Sequence, residues 1–104
     1  MNAHTSICDQ AALLYAERED IFAQMETFGA APIPADLADK THMLIEAVSF
    51  ARPITIGGVL ACLHAAQHFV RERDNAEPDS FNADRTARAR DRCLDAVIAF
   101  LEKS

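Results

Sequence analysis

Tryptophan is absent from this 104-residue chain, glycine occurs three times and proline four times. So few turn formers exclude a turn-rich β-protein, and an alanine-, leucine-, glutamate- and arginine-rich remainder favours helices. Cysteine is scarce too: Cys8, Cys62 and Cys93 are an odd number with no C-x-x-C pair, which leaves out a zinc ribbon or a redox couple and points to free buried thiols. No apolar run approaches the roughly 20 residues of a membrane span. Met1 to Asp9 lacks the basic and apolar regions of a signal peptide, so a soluble cytoplasmic protein is expected. The G-x-x-x-x-G-K-[ST] phosphate loop is missing, and no serine or cysteine nucleophile stands in a recognisable setting. The expectation is therefore a protein that is not an enzyme and takes no cofactor.

What is present is one domain's worth of apolar periodicity. Half of the residues are apolar, enough for a core without staples. The net charge of −6 lies wholly in residues 1–51, and the second half is neutral. An acidic front half argues against nucleic-acid binding, which depends on neutralising phosphates, although it leaves open imitation of nucleic acid. Four helices are predicted, at about 6–28, 35–51, 55–73 and 81–102. Short links join them into an antiparallel four-helix bundle. Ser6 is the expected N-cap of the first and Gly29 its terminator. The third helix is apolar over nearly half its circumference and should be the most buried. The last helix is expected to face the core with Ala83, Ala87, Leu94, Val97, Ile98 and Leu101.

The middle of the chain, Arg52-Pro53-Ile54-Thr55-Ile56-Gly57-Gly58, is a break followed by a start. Pro53 stops the preceding helix and Thr55 offers the N-cap oxygen of the next. Two glycines in that first turn cost helix stability and need a reason. Gly58, Cys62 and Ala66 form a strip of small side chains at which another helix could approach closely, and this is the favoured reading. The alternative is an anion held by the free amides of Gly57 and Gly58 with Arg52 nearby.

The run Pro53, Thr55, Gly58, Val59, Ala61, Leu63 resembles a P-x-T-x-x-G-V-x-A-x-L segment of small α-proteobacterial helical proteins, some carried by prophages, in which lysine often stands at the position of Cys62. The resemblance covers about a dozen residues. It implies a bacterial cytoplasmic protein from a mobile element, with a regulatory or inhibitory role towards a host protein and no activity attached.

Five constellations could carry function. His64 and His68 lie one helical turn apart, as two metal ligands would, but the pair lacks the glutamate of the metalloprotease pattern and needs further ligands from His42, His4 or a carboxylate, so a solvated face is expected. His42 in mid-helix is similar to the histidine of a phosphotransfer domain. Leu44 fits that pattern, whereas Ile45 and Glu46 replace its lysine and glycine. Arg18 falls inside the apolar stripe of the first helix and must either meet a carboxylate or lie along an aromatic ring. Arg85, Arg88 and Arg92 line one side of the last helix, where Asp84, Asp91 and Asp95 can neutralise them as a solvated face; the alternatives are an interaction surface for the acidic side of a protein partner and, more distantly, DNA. Finally, Met43, Leu44, Ile45 and Phe50 widen the apolar arc of the second helix. That arc predicts an interaction surface for an unidentified protein partner and for a second copy in a homodimer.

Overall fold

The computed structural model describes residues 9–103, and all of its regular structure is helical. Helix α1 spans Gln10–Glu26, α2 Ala35–Val48, α3 Ile56–Asn75 and α4 Phe81–Lys103. Neighbouring helices pack antiparallel in a four-helix fold in which α3 touches all three others and packs most heavily on α4. None of the described helices is long and apolar enough to cross a membrane.

The boundaries follow local chemistry. The expected cap Ser6 lies outside the described residues, and the observed start of α1 is capped by Asp9, whose carboxylate accepts from the amide of Ala12 at 3.1 Å. Gly29 takes the left-handed φ of 57° in the turn that ends α1, a conformation that costs glycine little. Helix α2 stops at Val48, three residues before the expected end, because Pro53 cannot continue it and residues 49–51 close in a tight turn. Thr55 caps α3 as its position suggests, its Oγ1 accepting from Gly58 at 3.1 Å. Ser80 does the same for α4 through the amide of Ala83.

The core is built from Ala11 of α1, Ile45 and Val48 of α2, six residues of α3 from Val59 to Phe69, and Ala89, Cys93 and Val97 of α4. One expectation changes here. The core face of α4 is turned about 100° from the expected one: Ala83 and Val97 are buried as expected, Ala89 and Cys93 join them, and Leu94, Ile98 and Leu101 are exposed. Helix α3 is the most buried of the four, as expected, although only half of its apolar arc faces the core. Val59, Cys62, Ala65, Ala66 and Phe69 face inward, while Ile56, Leu60, Leu63 and Val70 face out. Small side chains sit where α3 and α4 meet, and they draw the two helices together so that the larger residues are left on the rim.

Candidate functional site

Asp9 fixes the middle of the molecule. Its side chain is buried, and besides capping α1 it accepts from the amides of Ile54 at 2.9 Å and Thr55 at 2.8 Å and from Thr55 Oγ1 at 2.7 Å. Burial alone would push its carboxyl up, but the donors of Thr55, Ile54 and Ala12 together hold it below the ordinary value. A β-carbon on Gly58 would collide with this carboxylate, so the glycine makes room for a side chain rather than for a helix. Gly57 is exposed, and a β-carbon there would meet only Thr55 Oγ1 at an ordinary 3.6 Å. The anion at this helix start is therefore one the chain supplies itself. Arg52 points elsewhere, into a groove of about 550 Å³ that it lines with Phe50, Pro53, Arg92 and Phe100.

A second cluster lies where α1, α2 and α3 meet. Arg18 lies along the ring of Phe22 at 4.5 Å and near that of Tyr15 at 5.9 Å, the aromatic alternative of the two expected for it. One of its terminal nitrogens approaches His68 Nδ1 at 3.5 Å, and its Nε is buried with no partner. A guanidinium only donates, so Nδ1 carries the lone pair and Nε2 the proton, which faces Glu72 at 3.6 Å. Burial, and then Arg18, push the His68 ring below its ordinary value. His64, exposed on the same helix, stacks on Tyr15 with centroids 5.5 Å apart. The residues that could gather a metal are thus His42, His68 and Glu72, whose ligand atoms lie within 4.8 Å of one another; His64 is turned away to Tyr15. A metal on His68 Nε2 would require the proton on Nδ1, against the guanidinium of Arg18. That arrangement reverses the usual second shell, in which an acceptor faces the distal nitrogen, and the site fits a cation poorly.

The polar side of α2 is a seam against α4. Arg85 of α4 binds Glu46 through both carboxylate oxygens, one bond being Nε to Oε2 at 3.1 Å. This bidentate pair holds the Glu46 carboxyl low. Arg92 donates to Ser49 Oγ at 2.9 Å and lies over the Phe50 ring at 3.8 Å. Both arginines therefore reach across to α2 instead of pairing with acids one turn away, and Arg88 is exposed. The phosphotransfer pattern places an open glycine where this chain has Glu46 tied to α4. Of the expected interaction surface on α2, Leu44 and Ile45 are buried in the core, because α2 turns this side to its neighbours, and Met43 and Phe50 remain exposed.

The large exposed apolar face lies on α3 and α4. Leu60, Leu63 and Val70 share with Leu94 a shallow depression of about 650 Å³, rimmed by His64, Arg71 and Arg90. Ile56 extends the α3 stripe and Ile98 the α4 stripe. On α3 the spacing 56, 60, 63, 70 keeps the alternating four- and three-residue steps of a coiled-coil seam, with Gln67 filling the remaining position. This seam was legible in the spacing, but only once the strip of Gly58, Cys62 and Ala66 was known to be the core side. Compared with known proteins, the chain matches no family model, no curated protein and no solved structure.

Proposed function

We propose that this chain is a non-catalytic helical protein that works by binding protein, and that the apolar face of α3 and α4 is its docking surface. The observation that carries this reading is that face: six large aliphatic side chains, Leu60 and Ile98 each more than half exposed at 52% and 53%, form one stripe across two packed helices. A single exposed leucine is ordinary, whereas a contiguous stripe at seam spacing is the pattern of a surface that another helix covers.

The reactive side chains support the same reading. Burial pushes the Cys62 thiol up to about 11 and the Cys93 thiol up to about 12, so neither is a thiolate at neutral pH. His68 faces the Arg18 guanidinium with Nδ1, and Asp9 and Glu46 are consumed by structural donors.

The test is a photoreactive amino acid placed at position 63 in cells expressing the full chain, with position 16, exposed on α1, as control. A discrete protein adduct at 63 and none at 16 is expected. Adducts at neither position contradict protein binding through this face.

A further inference from the structure

We infer that the occupant of the α3/α4 face is a second copy of this chain, packed about a two-fold axis parallel to the helices so that α3 of each copy lies on α4 of the other; this rests on the protein-binding reading above. Two antiparallel helices presenting apolar stripes on one side are half of a four-helix seam. A second copy supplies the missing half without any new surface, since a two-fold interface uses the same patch twice. The exposures of Ile56, Leu60, Leu63, Val70, Leu94 and Ile98 add to nearly three whole side chains. With the rim of His64, Arg71 and Arg90, this surface supplies a large part of the roughly 800 Å² per partner on which stable interfaces are built.

Charge selects both the occupant and its orientation. At 100° per residue, the outer edge of the α3 stripe carries Arg71 and His64, with Asp74 on the stripe at its C-terminal end, and the outer edge of the α4 stripe carries Asp84, Asp91, Asp95 and Glu102 against Arg88. Asp91 is paired with Arg90 at 3.0 Å, so the contrast rests on Arg71 on the basic edge and on Asp84, Asp95 and Glu102 on the acidic edge. Two face-to-face arrangements are open to two copies. An axis across the helices lays α3 on α3 and α4 on α4, with like charges meeting along each edge. An axis along the helices lays α3 on α4, so that the basic edge of each copy meets the acidic edge of the other. Such an axis also preserves height along the bundle. Glu72 and Asn75 of α3 line the same cleft as Asn82 and Arg85 of α4, so Arg71 is level with Asp84 and would face it across the interface.

The experiment is the solution mass of the full chain by sedimentation equilibrium between about 1 and 100 µM, together with three variants. The wild type is expected at twice 11.4 kDa at the upper end. Leu60→Glu and Ile98→Glu, both at exposed sites, should stay at the monomer mass with unchanged helical circular dichroism. Arg71→Glu should weaken the dimer about tenfold, and adding Asp84→Arg to the same chain should restore it. A wild-type monomer across the range overturns the inference, as does a dimer that Arg71→Glu strengthens, which is the signature of α3 lying on α3. If the wild type is monomeric and position 63 still crosslinks to another protein, this inference fails and the protein-binding reading survives. If neither is seen, both fail.

Discussion

The carboxylate of Asp9 fills the space in which a β-carbon of Gly58 would stand. Through that one contact the start of α1, the Pro53 break and the first turn of α3 are joined at a single buried charge. Gly58→Ala should therefore cost about 1–3 kcal/mol, because the carboxylate is pinned by its donors and cannot swing aside. Asp9→Ala should cost roughly 2–4 kcal/mol through the lost cap and the orphaned amides of Ile54 and Thr55. The two effects should be strongly non-additive, since without the carboxylate the alanine at 58 has room. Gly57→Ala should be neutral or stabilise by up to about 1 kcal/mol. Urea melts of the four proteins and the double variant check all of this.

The same carboxylate sets the acid limb of stability. Its folded value lies below the ordinary 3.8, so the stabilisation is fully present above that ordinary value and is lost as pH falls through the lower folded one. Melting temperature between pH 5 and 2 should fall more steeply for wild type than for Asp9→Asn. Parallel curves would mean that the cluster around Thr55 does not favour the charged form.

Arg18 should be replaceable. Arg18→Met keeps the packing against Phe22, removes a buried Nε that has no partner and should be neutral or stabilising. It should also raise the His68 value, because Arg18 is one of the causes holding that ring neutral. An NMR titration of the His68 ring in both proteins reads this directly. In the wild type the unfolded chain takes up a proton at His68 before the folded one does, so stability should drop as pH falls below about 6.5. The variant should lose part of that drop. It should also gain zinc affinity at His42, His68 and Glu72, while the wild type should retain no stoichiometric zinc after dialysis against a mild chelator. Zinc retained by the wild type would show that Arg18 does not block the cluster.

The two faces of α3 should respond oppositely to truncation. Phe69 is buried in the core, so Phe69→Ala should cost about 3–5 kcal/mol. Leu60→Ala should stay within about 0.5 kcal/mol when measured at concentrations that keep the chain monomeric. Comparable losses at both positions would place Leu60 in the core.

These contrasts mark where sequence reading reached its limit. Pro53, Thr55 and Gly29 punctuate the chain through local backbone chemistry, so four helices and most of their ends were readable within a few residues. Which side of each helix faces inward was not, because α3 and α4 carry apolar arcs wider than their core contacts. A hydrophobic tally then favoured Leu94 and Ile98 over the smaller Ala89 and Cys93 that the structure buries. The acceptor role of Asp9 depends on amides 45 and 46 residues away, and Glu46 finds its partner on α4, 39 residues on. No local pattern announces such pairs. The gathering of His42 with His68 and Glu72 was half visible, since the i, i+4 spacing of His68 and Glu72 lies in the sequence while the approach of α2 does not.

The central claim is that the α3/α4 stripe is covered by a second copy, and hydroxyl-radical footprinting of the unmodified full chain tests it most directly. At about 100 µM, oxidation of Leu60, Leu63, Leu94 and Ile98 should fall severalfold relative to about 1 µM, while Leu13 and Phe81, exposed elsewhere on α1 and α4, should be oxidised equally at both concentrations. Stripe residues oxidised as fast as Leu13 at the higher concentration would contradict it.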